Sequence, residues 1–121
     1  MPDLEKLRRI AETEFLTLVR STTILRDKLR VVLVDGSYID FWWSTQIPGR
    51  YAHHWERRHV DGTVYRHDNM PHPQWQKVNS FPKHFHFGDQ KTVVESVLAT
   101  DPEQALHQFL IFAGSKIAAG G

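Results

Sequence analysis

The sequence predicts one α+β domain over residues 1–121, with an N-terminal helix, an antiparallel β-sheet of five or six strands, and a C-terminal helix packed on the sheet. Three observations support this class. Apolar residues recur at helical spacing near both ends, strand-like segments with Asp-Gly turns lie between them, and the length suits a single domain. The composition, 40% hydrophobic and 24% charged, is that of a globular protein with its own core.

The first predicted element is an amphipathic helix over residues 3–20. Its apolar stripe recurs at spacings of three and four residues and consists of Leu4, Leu7, Ala11, Phe15 and Leu18. Charged side chains cover the opposite side, and Asp3 is placed to cap the first turn. The stripe therefore predicts a helix face that packs on the core.

A hairpin follows, with strands over 23–34 and 37–44 that are joined by Asp35-Gly36. This dipeptide suits a type I′ turn, in which both central residues take positive φ. A two-residue loop of this kind pairs Val32 with Ile39. Because both faces of the pair then carry large apolar side chains, we expect this hairpin to be central and covered on both sides.

A second hairpin is predicted over 50–60 and 63–69, with an Asp-Gly turn at 61–62. The same two-residue count pairs His54 with Asn69 and places Trp55 and Asp68 on the opposite face. A slip of one residue would exchange the faces, so this assignment depends on the length of the loop.

The chain then leaves the sheet. Three prolines, Pro71, Pro73 and Pro82, predict a long irregular loop over 70–82, which in a compact domain is usually functional or disordered. A short strand over 83–87 would place His84 and His86 on one face, and 92–98 is predicted as one more strand.

The C-terminal helix begins at Asp101, where Pro102 and Gln104 complete a capping-box-like start. Its buried stripe is predicted to contain Ala105, Leu106, Phe109, Leu110, Ala113 and Ile117. Gly114 weakens its end, and residues 118–121 are predicted to be a disordered tail.

Composition excludes several function classes. A net charge of +1 is too small for a protein that coats DNA, and the longest apolar runs are too short to cross a membrane. The absence of Cys excludes disulfides, thiolate catalysis and Cys-ligated zinc, and it fits a reducing cytoplasm. The N-terminal segment lacks the apolar stretch of a signal peptide, and there is no Gly-rich phosphate loop or nucleophile elbow.

The main clue to function is histidine, because seven of the eight lie between His53 and His86. Together with neighbouring polar residues they predict a site at the strand ends, where the sheet fixes side chains and the loop gives access. The candidate catalytic residues are His54, Arg66, Asp68, His72, His84 and His86. Asn69, Lys83 and Trp75 are candidates for binding the substrate, and Trp75 is suited to stacking on a base.

Three interpretations of this cluster remain open. The histidines are structural, which we favour for His53, His59, His67 and His107; or Asp68, His72, His84 and His86 bind a metal. In the third, two histidines exchange protons while Arg66 stabilises a phosphodiester transition state, and RNA is cleaved through its own 2′-hydroxyl. That route needs no cofactor.

Four motifs in this order resemble the TumE-like toxin family: Tyr51-x-x-His54-Trp55, Asp61-Gly62, Arg66-x-Asp68-Asn69-x-Pro71-His72 and Phe81-Pro82-x-His84-x-His86. The resemblance runs from about Leu29 to about Leu110. It implies a cytoplasmic toxin of a type II toxin–antitoxin module, neutralised by a helix-turn-helix antitoxin, which inhibits growth through RNA. It does not imply a membrane partner, and it leaves a homodimer open.

The chain departs from the family pattern where metal ligands are concerned. Pro73 follows His72, and Lys83 and Phe85 flank His84, at positions where the family often carries further histidines. These departures reduce the ligand set, so we expect an endoribonuclease-like toxin with metal-free His/Arg chemistry. A metal-dependent nuclease or hydrolase that uses the same residues, and a protein that acts only by binding a partner, are the alternatives.

Overall fold

The computed structural model describes residues 1–120. Its elements, in chain order, are α1 (Leu4–Glu14), β1 (Val19–Leu25), β2 (Lys28–Leu33), β3 (Tyr38–Trp43), β4 (Tyr51–Arg57), β5 (Thr63–Asp68), a 3₁₀ turn (Pro73–Trp75), β6 (His84–Gly88), β7 (Val93–Glu95) and α2 (Pro102–Gly120). The strands form one sheet in the order β1-β2-β3-β4-β5-β6-β7, and every pair is antiparallel. The predicted α+β class is confirmed, but the sheet has seven strands rather than five or six.

The extra strand arises because the predicted strand 23–34 is split in two and its first half extends back into the end of the predicted first helix. Asp3 caps α1 as expected, accepting a hydrogen bond from the backbone N–H of Lys6 at 3.1 Å, but the helix ends at Glu14 and Phe15 leaves the helical conformation. The β-branched run that follows forms β1 instead. The predicted strand 23–34 is therefore two strands, with a turn at 26–27 in which Arg26 has φ 58°.

Both hairpin registers differ from the two-residue prediction. In the first, Leu33 donates to the carbonyl of Ser37, three residues form the connection, and Ile39 pairs with Val31 rather than Val32. In the second, residues 58–62 form the connection, so that His54 pairs with Arg66 instead of Asn69. This three-residue difference moves Arg66 and Asp68 together onto the face of the sheet that carries His54.

One face of the sheet packs against both helices. The core residues there are Leu4, Leu7, Ala11, Leu29, Val31, Leu33, Ile39, Phe41, Trp43, Tyr51, Trp55, Tyr65, Phe85, Leu98, Ala105, Leu106, Phe109, Leu110 and Ala113. The first hairpin is not covered on both sides as predicted, because β2 and β3 alternate between buried and half-buried residues. Their other face carries Lys28, Arg30, Asp40 and Trp42, whose polar groups need access to water or a partner.

The opposite face is partly closed over β4, β5 and β6. The loop predicted over 70–82 contains the 3₁₀ turn, whose Trp75 lies 6.1 Å and 5.9 Å, ring centroid to ring centroid, from His84 and His86. The sixth strand spans 84–88, against the predicted 83–87, and the seventh is shorter than the predicted 92–98. These three strands therefore hold polar side chains in a half-enclosed space.

The C-terminal helix begins as predicted, with Asp101 accepting a hydrogen bond from the backbone N–H of Gln104 at 3.0 Å. It continues to Gly120, so 118–120 are helical rather than part of a disordered tail. The last residue of that predicted tail, Gly121, lies outside the described residues. Within residues 1–120, no helix is both long enough and apolar enough to span a membrane.

Candidate functional site

The candidate site lies where β5 pairs with its two neighbours. Asp68 is opposite Ala52 on β4 and His84 on β6, and Arg66 is opposite His54 and His86. Because directly paired residues project from the same face, the ladder places five of these polar groups in two adjacent ranks. The site is thus a product of strand register and not of any one local motif.

Asp68 is the centre of the cluster. Its Oδ1 lies 3.1 Å from Nε2 of His84, and its Oδ2 lies 3.8 Å from Nε2 of His86. Nε of Arg66 donates to Oδ2 at 3.1 Å, and the backbone N–H of Met70 donates to Oδ1 at 3.0 Å. The carboxylate is almost completely buried, so these contacts fix its orientation.

Backbone carbonyls determine how the two imidazoles are oriented. Nδ1 of His84 lies 3.0 Å from the carbonyl of Pro82, and Nδ1 of His86 lies 3.0 Å from the carbonyl of Gln90. A carbonyl oxygen only accepts hydrogen bonds, so Nδ1 carries the proton in both rings. In their neutral forms both rings therefore present the lone pair of Nε2 towards Asp68.

This arrangement leaves one buried nitrogen without a partner. His84 is 0% exposed, and its Nε2 makes no hydrogen bond to any group of residues 1–120. The nearby Oδ1 of Asp68 does not satisfy it, because a carboxylate oxygen and a neutral Nε2 are both acceptors. Burial also lowers the pKa of His86, more than its contact with Gln90 raises it.

His54 shares the face but has a different partner. Its Nε2 lies 3.1 Å from Oε1 of Glu56, and burial lowers its pKa despite that carboxylate. Arg58 binds the same carboxylate through several N–H groups and lowers the pKa of Glu56 to about 2. His54 is therefore beside Arg66 but belongs to a Glu56-centred pair.

The remaining predicted residues divide into two groups. His72 is exposed, with its ring 6.4 Å from that of His84, and Trp75 lies over the two cluster histidines. Asn69 and Lys83 instead bind the protein's own backbone. The Asn69 amide bridges Gly49 and Tyr51, and the Lys83 ammonium donates to the carbonyl of Leu98. The structure brings His72 and Trp75, but not these two, to the cluster.

The histidines on the helix-facing side have structural surroundings. His53 lies among Phe41, Trp43 and Tyr51, and burial lowers its pKa to about 3. Burial likewise lowers the pKa of His67 to about 3. That ring stacks on Phe85 at 3.9 Å, and its Nδ1 lies 2.8 Å from the hydroxyl of Ser96.

A groove of about 500 Å³ borders the cluster on the open face. Its lining includes Arg66 and residues that sequence reasoning did not select: Lys28, Trp42, Arg58, Met70 and Gln90. The correct register would have placed Lys28 and Trp42 on this face. Nothing in the sequence pattern indicates Gln90, which acts through its backbone carbonyl.

A family model described as "Toxin TumE" matches residues 3–117. The chain belongs to the TumE toxin family. The resemblance drawn from the four motifs is thereby confirmed over nearly the whole chain. Neither the curated proteins nor the solved structures contain a match. Membership in the TumE family supports a toxin role and an antitoxin partner.

Chemically, the site of this TumE family member combines a buried carboxylate, two Nε2 lone pairs and a guanidinium. Asp68, His84 and His86 offer one ligand atom each, and these atoms all lie within 4.8 Å of one another. The set can exchange protons, bind a cation, or do both in sequence. Arg66, which lines the groove, can bind an anion delivered from it.

Proposed function

We propose that this TumE family toxin inhibits growth by cleaving RNA at the cluster of Arg66, Asp68, His84 and His86. The observation that carries the proposal is the convergence of Arg66 and two Nε2 atoms on the buried carboxylate of Asp68. Buried convergent polar groups beside an open groove are what a hydrolytic site requires, and a purely structural sheet end does not need them.

Cleavage through the 2′-hydroxyl sets definite chemical requirements. The 2′-oxygen forms a bond to phosphorus while the bond from phosphorus to the 5′-oxygen breaks. One proton leaves the 2′-hydroxyl, another reaches the 5′-oxygen, and negative charge develops on the phosphate. Arg66 meets the last requirement, because its guanidinium keeps its charge and is 30% exposed towards solvent.

We assign the proton transfer to the imidazoles of His84 and His86. Because Nδ1 of His84 and of His86 is held by a carbonyl, Nε2 is the atom that accepts a proton, either itself or through a bound water. The carboxylate of Asp68 lies beside both Nε2 atoms and would stabilise the positive charge that an imidazole gains on accepting the proton. His72, exposed at the rim, is the candidate for protonating the 5′-oxygen, and His54 is the candidate for placing the phosphate beside Arg66.

The groove suits a nucleic-acid strand. Lys28, Arg58 and Arg66 line it together with the ring of Trp42, which combines positive charge with an aromatic surface. Asp40 and Glu56 neutralise part of that charge, through contacts of 3.0 Å to Lys28 and 2.7 Å to Arg58. Binding is therefore expected to be moderate and salt-dependent, in keeping with the chain's net charge of +1.

The test is RNA cleavage by the purified chain. We expect wild type to cut a single-stranded RNA and to leave a 2′,3′-cyclic phosphate, and we expect no cut where the nucleotide at the site is 2′-deoxy. Arg66→Ala should lower the rate about a hundredfold or more, and His107→Ala, on α2, should not. A wild-type protein that arrests growth but cuts no RNA would favour the partner-binding alternative.

A further inference from the structure

We propose that Asp68, His84 and His86 form a binding site for one divalent transition-metal ion. The candidate ions are Mn²⁺, Fe²⁺, Co²⁺ and Zn²⁺, because two of the three ligands are imidazole nitrogens and the third is a carboxylate oxygen. Ca²⁺ and Mg²⁺ prefer all-oxygen sites and fit this set less well.

The spacing of the three ligand atoms suits such an ion. Nε2 of His84 is 3.1 Å from Oδ1 of Asp68, Nε2 of His86 is 3.8 Å from Oδ2, and all three ligand atoms lie within 4.8 Å of one another. Metal–ligand bonds of about 2.1 Å place neighbouring ligand atoms about 3.0 to 3.4 Å apart, for right-angled and tetrahedral arrangements respectively. Side-chain rotations that move each ligand atom by less than about 1 Å would therefore bring all three within bonding distance of one ion.

The outer hydrogen bonds are those expected around metal-binding histidines. Each ring donates its Nδ1–H to a backbone carbonyl, Pro82 for His84 and Gln90 for His86. This contact fixes the tautomer, aims Nε2 and raises its basicity. The backbone N–H of Met70 and Nε of Arg66 fix the carboxylate in the same way.

The unpartnered nitrogen of His84 is the second, independent observation. It is fully buried, it faces Oδ1 of Asp68, and within the described chain it makes no hydrogen bond. Nε2 of His86 presents a second lone pair 3.8 Å from the other oxygen of the same carboxylate. One divalent ion satisfies all three ligand atoms at once.

The ligand set does not depend on Lys83 or Phe85, two of the three positions where the chain departs from the family pattern. Phe85 projects to the helix face, where it stacks on His67, and the ammonium of Lys83 binds the carbonyl of Leu98. Neither position points towards Asp68, so histidines there would not enlarge this site. The departures at Lys83 and Phe85 therefore give no reason to expect metal-free chemistry at this cluster.

Three protein ligands leave coordination positions open, as in catalytic rather than structural metal sites. Arg66 lines the groove and contacts Asp68, so the groove is the side from which a phosphate oxygen or a water would approach the ion. If the ion is bound in the active protein, it would occupy both Nε2 atoms, and a metal-held hydroxide would then accept the 2′-hydroxyl proton in their place. That role rests on the proposed function, whereas the binding of the ion does not.

The experiment is a calorimetric titration of EDTA-stripped full-length protein with MnCl₂ and, separately, ZnCl₂. We expect one ion per chain, and at least a tenfold loss of affinity in Asp68→Asn and in His86→Gln, which each remove one ligand. His107→Gln is the matched control and should bind like wild type. His86→Gln is included because His84 is fully buried and its replacement risks the fold; circular dichroism checks that each variant is folded.

A complementary readout is the visible absorption of the Co²⁺-loaded protein, whose bands report nitrogen ligands and should be lost in His86→Gln. The proposal is overturned if wild type binds no Mn²⁺, Zn²⁺ or Co²⁺ at one ion per chain, or if both ligand variants bind as tightly as wild type. RNA cleavage that persists in EDTA would overturn the catalytic role and leave the nuclease proposal intact. A bound ion without RNA cleavage would overturn the nuclease proposal and leave the metal-binding proposal intact.

Discussion

Asp68 on β5 and His84 on β6 are direct cross-strand partners, and their side chains meet with 3.1 Å between Oδ1 and Nε2. Two strands separated by a long loop thus deliver the carboxylate and the imidazole to one point. The ladder also brings Arg66 opposite His86 in the next rank. A rigid sheet holds such a constellation more accurately than loops would, which suits a site that must orient a phosphate.

The first prediction concerns toxicity in cells. Expression without an antitoxin should stop growth, and Arg66→Ala, His84→Ala and His86→Ala should each relieve the arrest by removing a group of the cluster. Loss of one such group should slow the reaction about a hundredfold to ten-thousandfold. Growth curves at matched protein levels, with soluble yield as the folding check, give the measurement.

His107→Ala is the control for that series, because its ring contacts Glu14 and the backbone of Glu103 rather than the cluster. It should stay toxic. If all three cluster variants stop growth as fully as wild type, the cluster is not the active site, and the partner-binding alternative takes its place.

The second prediction separates metal binding from phosphate binding at Arg66. Arg66→Met keeps the length of the side chain but removes a positive charge whose Nε is 3.1 Å from Asp68. Divalent-ion affinity should stay equal or rise, since a repelling cation is gone, while RNA cleavage should fall about a hundredfold. Calorimetry with Mn²⁺ and a cleavage assay on the same preparation measure the two effects.

If Arg66→Met lowered the divalent-ion affinity and the RNA cleavage rate together, the two roles could not be separated. Arg66 would then act mainly by orienting the carboxylate of Asp68. Arg66→Lys serves as the comparison, because it restores the charge without the planar fork. It should return only part of the cleavage rate.

The third prediction concerns acid stability. His53 is 1% exposed, and burial lowers its pKa from 6.5 to about 3 in the folded protein. The unfolded chain therefore binds one more proton than the folded chain between these values, and stability falls as the pH drops below about 6.5. His53→Phe, which suits the aromatic surroundings, should reduce this slope by up to about 1.4 kcal/mol per pH unit.

Urea unfolding at pH 7, 6, 5 and 4 measures the slope. The variant should equal or exceed wild type at pH 4, because the ring also buries an Nδ1 without a hydrogen-bond partner among residues 1–120. Parallel pH profiles of the two proteins would contradict the assignment of His53 as a buried neutral histidine.

How far the sequence predicts this molecule depends on the range of each interaction. Local rules correctly predicted the cap at Asp3, the start at Asp101 and the His84/His86 face of β6. They failed where register depends on loop length. Two-residue turns were assumed for both hairpins, but the real connections have three and five residues. The five-residue connection moved Arg66 and Asp68 to the face that carries His54.

Apolar periodicity also misled the prediction at the first element, where it extended the helix to residue 20 although α1 ends at Glu14. Residues 15–19 continue the apolar spacing, but the β-branched segment after them pairs with β2 and is held there by the sheet. The roles of Asn69 and Lys83 depend on tertiary contacts to Gly49 and Leu98 that no local pattern reveals. The histidine cluster itself was recognisable, because residue type and family resemblance coincided there.

The fourth prediction concerns the contact between α1 and α2. Nε2 of His107 lies 2.9 Å from Oε1 of Glu14, and this hydrogen bond, first among its contacts, raises the pKa of His107 above 6.5. The folded protein holds this proton more tightly, so the added stability is complete below about pH 6.5 and is lost as the pH rises through the folded pKa.

Glu14→Gln should therefore destabilise the protein at pH 6 and have little effect at pH 8.5. Both side chains are about a third or more exposed, so the difference should stay below about 1 kcal/mol. Thermal unfolding at the two pH values measures it, and an equal loss at both would show that the contact acts by packing rather than by charge.

The last prediction concerns Trp75, whose ring covers His84 and His86 at about 6 Å. If a base of the RNA stacks there, Trp75→Ala should weaken RNA binding by about 1 to 3 kcal/mol, which is roughly a fivefold to 150-fold rise in Kd. Trp75→Phe keeps an aromatic face and should retain most of the affinity.

Fluorescence anisotropy with a labelled 2′-deoxy oligonucleotide measures binding without cleavage. The Mn²⁺ affinity should be the same in all three proteins, because Trp75 supplies no ligand atom. Equal RNA affinity of the Ala and Phe variants, both below wild type, would indicate that the indole contributes through its N–H or its size instead of through stacking.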